Sequence, residues 1–491
     1  MDLDQVIAQR IAKAQRWRER GIDPYPHRFH RTHTAQEAVA ALEEAEAQGA
    51  APPKVVVAGR ITAMRHMGKA TFIDLQDTSG RVQTHHRLDV LGEEAYEALH
   101  DLDLGDFLGV EGEVFRTRTG EPTVLARRYV VLCKALRAPP AKWHGLQDVE
   151  VRYRQRYLDL MANRQVRELF RTRSRIVSAI RRFLDAKGFL EVETPVLQPY
   201  AGGAAARPFV TYHNALERHL YLRIALELHL KRLLVGGYEK VYELGRVFRN
   251  EGVSGKYNPE FTMLEAYQAY ADYNDIMELT EELIVYVAKE AVGTLCVPYQ
   301  GEVIDFSPPW RRMTLREALL QYAGLDISPH TPLSQLREAV EARGLPVQPH
   351  WDRGKIIDES LAHLVEPRLI HPTFILDYPV ELSPLAKSKP HDPYFVERFE
   401  LFIAGREVAN AYTELNDPME QRRRFLDQAQ RRQAADEEVE LGDEDFLVAL
   451  EHGMPPAGGL GIGIDRLVMA LTGQSSIREV ILFPALRESH D

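Results

Sequence analysis

Residues 54–135 alternate apolar and polar side chains in short runs that turn-forming residues interrupt. A period of two predicts strands that bury one face. One stretch, LGEEAYEALHDL, has helical spacing instead. Five strands and one helix in roughly 80 residues are typical of a small Greek-key barrel of the OB type, and equally of a generic β-sandwich. The predicted strands are KVVVAGRITAM, ATFIDLQD, GRVQTHH, DFLGVEGEVF and ARRYVVLCKAL.

The pattern changes after Asp148, where apolar residues recur every three or four positions. This spacing predicts a long helix that ends at Gly188. Its buried stripe comprises Leu169, Ile176, Ile180 and Leu184. Further on, ERFELFIAGREVANAYTEL predicts a hairpin turning at Ala404-Gly405, and GGLGIGIDRLVMALTG predicts a strand that leads into a helix. Hairpins with helices between them favour an α+β domain built on a largely antiparallel sheet.

A chain of 491 residues is too long for one simple core. The Pro- and Gly-containing segment LRAPPAKWHGLQD separates the two patterns and predicts a linker. We therefore expect one domain over residues 1–143 and a second over residues 144–491. The acidic run at 435–445 predicts a solvated insertion.

The composition, 45% hydrophobic and 27% charged, is that of a soluble globular protein. No apolar run approaches the ~20 residues that span a bilayer. The first residues, MDLDQVIAQRIAKAQRWRERG, have no apolar signal core and predict an amphipathic helix. We expect a cytoplasmic protein without a membrane partner. The two cysteines, Cys133 and Cys296, are far apart, which excludes a cysteine-ligated zinc site.

The net charge of −11 is unevenly distributed along the chain. Residues 1–143 are neutral overall, residues 144–250 carry +8 and residues 251–491 carry −19. A polyanion could therefore meet a basic band while the rest of the surface repels it. The distribution permits a nucleic-acid partner without requiring one.

The stretch FRNEGVSGKYNPEFTMLEAY (248–267) carries the first candidate chemistry. Alternate residues of a strand share a face, so the side chains of Arg249 and Glu251 are expected on the same face of the outgoing strand. The returning strand lines up an aromatic, a carboxylate and a phenol on one face: Phe261, Met263, Glu265 and Tyr267. An ordinary surface hairpin does not require these side chains on one face, whereas a binding site for a charged ligand does.

Two further strands could complete such a site. In GGLGIGIDRL, three glycines alternate with apolar residues and leave a bare strand face, with Arg466 in the first turn of the following helix. Close strand–helix packing explains the glycines equally well. In REVANAYTELND, Asn410, Tyr412 and Glu414 share a face, and Glu407 lies seven residues before Glu414. Their oxygens suit Mg²⁺ held jointly with phosphates, or else a solvated edge strand.

Taken together, these motifs resemble the class II aminoacyl-tRNA synthetases, most closely the bacterial lysyl branch. The resemblance runs from about residue 54 to residue 485. It rests on the basic helix followed by Pro195, on RIALEL, FRNEG…NPEFTMLEAY, ANAYTELND and GLGIGIDRL, and also on HGLQDVEVRYRQRYLDL, GGAAARPF, ELSPLAK and SIREVILFP. It implies an N-terminal OB-fold barrel that binds a tRNA anticodon, followed by a catalytic domain.

The resemblance also implies roles at an ATP site. Arg249 would grip the α-phosphate and the amino-acid carboxylate, Arg466 would hold the γ-phosphate, and both would be catalytic. The adenine would bind Glu251 and lie between Phe261 and Arg466. Glu407 and Glu414 would be the Mg²⁺ ligands. The full implied ATP set is Arg249, Glu251, Tyr257, Asn258, Phe261, Glu407, Gly463 and Arg466.

An amino-acid pocket is implied beside the ATP site. Glu227 would hold the α-ammonium of lysine, and the other pocket residues would be Arg249, Glu265, Tyr267, Asn410, Tyr412 and Glu414. The chemistry agrees, because an ammonium that leaves water needs acceptors and countercharge. The implied reaction forms lysyl-adenylate from lysine and ATP, and then transfers lysine to the 3′ end of tRNA(Lys).

In the barrel, the residues implied to contact anticodon bases are Arg65, Phe72 and Gln83. A core position explains Phe72 equally well. The helix around 165–187 is the dimer interface of the family, which implies a homodimer. Three positions depart from the usual pattern: Tyr257, the pair His85 and His86, and Met64. These departures leave open the alternative that the chain is a divergent paralogue that lysylates a protein or acts as an RNA-binding regulator. No core catalytic residue is missing, however.

Overall fold

The computed structural model describes residues 3–140, 146–200, 202–204, 206–434 and 443–487. The chain forms two compact units, Met1–Gln147 and Asp148–Asp491. The domain boundary predicted between residues 143 and 144 lies outside the described residues, as does most of the predicted acidic insertion (435–442). No helix in the described ranges is long and apolar enough to cross a membrane.

The first unit is a closed five-stranded barrel with two helices before it. The strands follow one another in the order β1-β2-β3-β5-β4, and β4 pairs back onto β1. The OB-fold prediction is therefore confirmed, and the β-sandwich alternative is wrong. The elements are α1 (Leu3–Glu19), α2 (Ala35–Gln48), β1 (Lys54–Met67), β2 (Ala70–Gln76), β3 (Arg81–Arg87), α3 (Leu88–Leu91), α4 (Glu93–Glu97), β4 (Phe107–Arg116) and β5 (Pro122–Cys133).

The second unit is built on an eight-stranded sheet, in the order β14-β15-β16-β17-β18-β11-β10-β6. Its elements are α5 (Val149–Arg154), α6 (Arg156–Ala162), α7 (Arg164–Ala186), β6 (Leu190–Glu191), β7 (Leu197–Gln198), β8 (Val210–His213), β9 (Arg218–Leu222), α8 (Glu227–Val235), β10 (Lys240–Phe248), β11 (Glu260–Ala269), α9 (Tyr273–Val287), β12 (Cys296–Tyr299), β13 (Glu302–Asp305), β14 (Arg311–Thr314), α10 (Leu315–Ala323), α11 (Leu333–Glu341), α12 (Arg353–Ser360), β15 (Thr373–Pro379), β16 (Phe395–Ile403), β17 (Arg406–Thr413), α13 (Pro418–Ala434), α14 (Glu444–Glu451), β18 (Ala457–Gly463), α15 (Ile464–Thr472) and α16 (Ile477–Val480).

The sheet is antiparallel except at two places near its edges, where β14 pairs with β15 and β6 with β10 in parallel. The predicted antiparallel α+β architecture is confirmed. The predicted hairpin turns at Ala404 and Gly405, whose φ angles of 52° and 69° make the tight reversal between β16 and β17. The predicted long helix is α7, and its stripe of Ile176, Ile180 and Leu184 is fully buried.

The two faces of the central sheet have different roles. Leu264 and Ala266 of β11 and Leu460 and Ile462 of β18 join the core formed with α7, α9 and α15. The residues between them in sequence point to the opposite face, because side chains alternate along a strand. One face of the sheet thus packs against α7, α9 and α15, and the other forms the floor of a cavity beside α8 and α14.

Candidate active site

A cavity of about 540 Å³ opens over the sheet face opposite α7, α9 and α15. β11, β17 and β18 form its floor, and the loop after β10 forms part of its wall. Every residue that the resemblance assigned to ATP, lysine or metal lines this one cavity: Glu227, Arg249, Glu251, Tyr257, Asn258, Phe261, Glu265, Tyr267, Glu407, Asn410, Tyr412, Glu414, Gly463 and Arg466. The structure therefore brings together residues from four separate stretches of the sequence.

Three buried carboxylates gather at one end of the cavity. Glu227 is 5% exposed, Glu265 3% and Glu414 1%. A carboxylate that leaves water must be paired, hydrogen-bonded or protonated. The three carboxylates differ in how they are stabilised, and this difference determines what this end of the cavity can bind.

Glu265 is held by hydrogen bonds on both of its oxygens. The backbone N–H of Leu226 donates to Oε1 at 2.9 Å, and the hydroxyl of Tyr267 donates to Oε2 at 2.9 Å. Burial and the nearby Glu227 nevertheless raise the pKa of Glu265 to about 7, against the lowering effect of these two hydrogen bonds. Glu265 is therefore fixed in position but is ready to gain or lose a proton near neutral pH.

Glu227 and Glu414 share a fully buried lysine. The Nζ atom of Lys231 lies 2.5 Å from Oε1 of Glu227 and 2.5 Å from Oε2 of Glu414. Within the described ranges, neither oxygen of Glu414 receives a well-aligned hydrogen bond. Burial raises the pKa of Glu414 to about 8, although Lys231 opposes the rise. Glu414 is thus a buried acceptor with unused hydrogen-bonding capacity.

Gly459 of β18 makes room for this acidic cluster. A Cβ atom at this position would lie 1.9 Å from Oε1 of Glu414 and 2.5 Å from the ring of Tyr267. At Gly463, on the same face, the nearest atom would be 3.8 Å away, so that position is open. The bare face predicted for β18 therefore has two functions: Gly459 accommodates the side chains of the site itself, and Gly463 leaves space above the floor.

The amide of Asn410 has a fixed orientation. Its Oδ1 accepts a hydrogen bond from Nε of the buried Arg398 at 3.1 Å, and its Nδ2 donates to the hydroxyl of Tyr412 at 2.8 Å. The guanidinium of Arg398 also lies 5.6 Å from the Tyr412 ring. Asn410 therefore offers the cavity a donor, and Tyr412 keeps its own hydroxyl proton available.

Cations and aromatic rings mark the other end of the cavity. The guanidinium of Arg249 lies 5.2 Å from the ring of Phe261, and that of Arg466 lies 5.7 Å from the ring of Tyr257. Arg466 also pairs with Glu407 at 3.2 Å. Half-buried guanidinium groups beside aromatic rings suit a ligand with anionic groups and an aromatic ring.

Asn258 lies in the cavity wall, and its side-chain amide is already engaged. Its Oδ1 accepts from the backbone N–H of Ala485 at 2.9 Å, and its Nδ2 donates to the carbonyl of Glu260 at 2.6 Å. In this state Asn258 fixes the loop between β10 and β11. Its assignment to ATP stays a prediction.

The assignment of Glu407 and Glu414 to Mg²⁺ stays a prediction, and the two carboxylates contact different groups. The two residues lie at opposite ends of β17, and seven residues of extended strand cover about 20 Å. Glu414 contacts Lys231 at the acidic end, whereas Glu407 contacts Arg466 at the cationic end. Mg²⁺ ligands lie ~2.1 Å from the ion, so no single ion reaches both carboxylates.

A bulge explains why both residues face the cavity despite their odd separation. Leu401 pairs with Ala409, but the next residue, Phe402, pairs with Glu407, which leaves Val408 as an extra residue on β17. A bulge of this kind reverses the alternation of side chains. The sequence carries no clear signal for this bulge.

Two carboxylates beside Glu407 escaped the sequence analysis. Burial, with contributions from Glu400 and Glu407, raises the pKa of Glu366 to about 8. Glu400 contacts Arg398 and accepts a hydrogen bond from the Tyr378 hydroxyl at 2.8 Å. Even so, no group of three or more His, Cys, Asp or Glu side chains in the described ranges is arranged to hold a metal ion by itself.

Lys231 was also missed, and here a signal existed. Glu227 and Lys231 stand four residues apart in ELHLK, the spacing at which opposite charges meet on a helix. The contact of Arg398 with Asn410 had no such signal, because Asn410 comes from the neighbouring strand β17.

The residues predicted for the barrel lie together on one of its faces. Arg65 pairs in register with Phe72, Phe72 with His85, and Asp74 with Gln83, on β1, β2 and β3. Phe72 is half-buried and stacks on His85 with ring centroids 4.2 Å apart, so it is not a core residue. Gln83 is buried and accepts a hydrogen bond from the Thr123 hydroxyl at 3.1 Å. His86, in contrast, is fully buried, and burial lowers its pKa to about 3.

Comparison with known proteins agrees with this geometry. Residues 148–487 match the family described as tRNA synthetases class II (D, K and N), and residues 55–132 match the OB-fold nucleic acid binding domain. A lysine–tRNA ligase of Moorella thermoacetica is 57% identical over 99% of this chain and 98% of its own length. Those of Dehalococcoides mccartyi and Roseiflexus castenholzii are 56% and 53% identical, each over 99% of this chain and over 98% and 99% of their own lengths.

Full-length similarity at this level, together with the barrel and the two-faced sheet, shows that the chain belongs to the lysine–tRNA ligases of the class II aminoacyl-tRNA synthetases.

Proposed function

We propose that this enzyme activates L-lysine with ATP and transfers the lysyl group to the 3′ end of tRNA(Lys) in the cytoplasm. The observation that carries the proposal is the acidic end of the cavity, where three buried carboxylates meet only one buried lysine. Such a pocket is short of positive charge, and a ligand that carries ammonium groups supplies it. In the part of the chain that the structure describes, we find no comparable feature that favours protein lysylation or a purely regulatory role.

Lysine is proposed to bind with its side chain toward the acidic end. Glu265, Tyr267 and Glu414 form the acceptors for the ε-ammonium, and Glu227 accepts the α-ammonium. The α-carboxylate then points toward Arg249 and the donor amide of Asn410. A site that satisfies a charged donor rejects an analogue without it by as much as ~10⁴-fold.

ATP is proposed to bind at the cationic end. Phe261 supports the adenine ring together with Arg466, while Glu251 lies within reach of the ring edge. Arg249 and Arg466 neutralise charge on the phosphates. Tyr257, which has Arg466 against its ring, covers the same region.

Mg²⁺ fits this end through Glu407, with Glu400 as the neighbouring carboxylate and the substrate phosphates as the remaining ligands. Magnesium ordinarily uses one or two protein carboxylates together with phosphates and water. When bound, the ion would neutralise phosphate charge. Glu414 is left to the lysine pocket.

The proposed chemistry needs no covalent intermediate with the protein. In the first step, a carboxylate oxygen of lysine attacks the α-phosphorus of ATP in line, and pyrophosphate leaves. In the second, a 3′-terminal hydroxyl of tRNA attacks the carbonyl of the adenylate, and AMP leaves. The residues of the cavity contribute positioning and charge stabilisation, both large sources of rate enhancement.

The first test is ATP–pyrophosphate exchange with each of the twenty amino acids in the absence of tRNA. We expect exchange with lysine alone. Glu414→Gln should raise the KM for lysine by about 100-fold, because a buried charged acceptor is lost. Glu407→Gln should change the KM for lysine by less than about threefold and raise the Mg²⁺ concentration needed for half-maximal exchange.

Absence of exchange with every amino acid, in folded protein, would refute the proposed function. If Glu414→Gln and Glu407→Gln both changed the KM for lysine, or both changed the Mg²⁺ requirement, the proposed separation of the acidic and cationic ends would be wrong. Charging of tRNA by the active enzyme then separates a tRNA ligase from an enzyme that lysylates a protein.

Gly459→Ala should close the lysine pocket while the fold is retained. The added methyl group would overlap Glu414 and Tyr267, so we expect the KM for lysine to rise by about 100-fold. Gly463→Ala is the matched control on the same strand face, and it should leave the KM for lysine within about twofold. Equal effects of the two substitutions would contradict the assigned position of the pocket.

The barrel face with Arg65, Phe72 and Gln83 is proposed to bind the anticodon. Aromatic rings on an OB-fold surface stack on unpaired bases, at about 1–3 kcal/mol per base. Phe72→Leu should therefore raise the KM for tRNA by about tenfold and leave ATP–pyrophosphate exchange unchanged. Tyr25→Leu, at another exposed aromatic of the same unit, is the control. An unchanged KM for tRNA in Phe72→Leu would remove Phe72 from the interface.

A homodimer is proposed from the apolar residues exposed around β6 to β9. Leu197, Tyr200, Val210, Tyr212 and Leu216 are each about half exposed, and a patch of this kind marks a protein interface. Light scattering after size-exclusion chromatography should give twice the chain mass of 56.0 kDa. A monomer at micromolar concentration would contradict the proposal.

A further inference from the structure

Lys231 is a lysine buried inside a pocket proposed to bind lysine. It lies on α8, is fully buried, and has its ammonium 2.5 Å from both Glu227 and Glu414. The ring of Phe446 closes the remaining side, 5.9 Å from Nζ. The two carboxylates that Lys231 contacts are also the proposed acceptors of the two ammonium groups of the substrate.

Stability alone is a poor explanation for this arrangement. Taking a lysine and two carboxylates out of water is costly, and apolar residues of similar volume often stabilise a protein as well or better. A buried charged network is worth keeping where it fixes groups for a specific task. The task here follows from the charges of the pocket.

The charges balance only when the pocket is occupied. The acidic end contains Glu227, Glu265 and Glu414, a total of −3 when all are ionised, and Lys231 contributes +1. Bound lysine adds two ammonium groups and brings the sum to zero, while its carboxylate is paired with Arg249. Without Lys231, the occupied pocket would retain one unpaired buried carboxylate.

We propose that Lys231 is a positioning and specificity-determining residue, which holds Glu227 and Glu414 in place and sets the pocket charge so that an amino acid with two ammonium groups neutralises it. The proposal rests on the lysine pocket described above. Lys231 acts through the two carboxylates and does not touch the reacting atoms.

The electrostatics of the empty pocket support this role. Burial disfavours the charged form of Lys231, but Glu227 and Glu414 outweigh that effect and raise its pKa above the ordinary value, so it stays an ammonium. Burial raises the pKa of Glu414 to about 8 and that of Glu265 to about 7. The charged and titratable groups that face this cluster are Glu227 and Lys231 from α8, Arg249 from the loop after β10, Glu265 and Tyr267 from β11, and Tyr412 and Glu414 from β17 or its end.

These raised pKa values predict that lysine binding depends on pH. Below a raised carboxyl pKa the empty pocket holds a proton, and this proton must leave when an ammonium group binds. Lysine affinity should therefore rise with pH between about 6 and 8. Removal of Lys231 would raise the carboxyl pKa values further and shift this rise to higher pH.

The test replaces Lys231 by Met, which keeps the length of the side chain and removes its charge. In ATP–pyrophosphate exchange at pH 7, Lys231→Met should raise the KM for lysine by about 100-fold and the KM for ATP by less than about twofold. The KM for lysine should recover as the pH is raised to 8.5, more steeply than in the unmodified enzyme.

Lys134→Met is the matched control. Lys134 is equally buried and lies 2.7 Å from Asp103 and 2.6 Å from Asp106, but it belongs to the first unit. Both variants should lose thermal stability, whereas only Lys231→Met should change the KM for lysine. A KM for lysine within about twofold of the original, or equal rises in the two KM values, would overturn the proposal.

Calorimetry of the unmodified enzyme tests the same charge balance without a variant, and so remains decisive if Lys231→Met does not fold. Lysine is titrated at pH 7 in two buffers with different ionisation enthalpies. Net proton release on binding is expected, and binding without proton release would overturn the proposal. Failure of the lysine pocket itself would appear differently, as the absence of lysine binding or lysine-dependent exchange in the unmodified enzyme.

Discussion

The second unit depends on one constraint: a carboxylate removed from water must find positive charge or retain a proton. Glu227, Glu265 and Glu414 are buried together, and the protein supplies one lysine for the three of them. Within the described ranges, this shortage leaves Glu414 without an aligned hydrogen bond, and it is the basis for the proposed affinity of the cavity for ammonium groups. The requirement for Gly459 and the proposed role of Lys231 both follow from it.

The two faces of the central sheet allow the buried carboxylates and a stable apolar core to occur in the same unit. β11, β17 and β18 place apolar side chains on the face that packs against α7, α9 and α15. The alternate residues are free to carry chemistry, since the core does not require them. The bulge at Val408 extends the arrangement by turning Glu407 to the cavity face, where it meets Arg466. One floor thus carries an acidic end and a cationic end, which we propose bind the amino acid and the nucleotide respectively.

Much of this was predictable from local patterns in the sequence. Strand periodicity placed Phe261, Glu265 and Tyr267 on one face and predicted the antiparallel sheet, whereas resemblance alone favoured the barrel over a β-sandwich. The residue roles came from resemblance, which does not give the distances between the assigned residues. Glu407 and Glu414 were both assigned to Mg²⁺ by resemblance, but seven residues of extended strand place them about 20 Å apart. Lys231, Arg398 and Glu400 act through tertiary contacts, which a single sequence does not display except in the i, i+4 spacing of Glu227 and Lys231.

The most direct test of the account compares the binding of lysine and norleucine to the enzyme by calorimetry, without ATP. Norleucine has the same carbon chain and lacks only the ε-ammonium. If the acidic end is built to be neutralised by that group, norleucine should bind at least ~10³-fold more weakly than lysine. Affinities within tenfold of each other would mean that the pocket recognises the aliphatic chain, and would contradict the central role of the buried carboxylates.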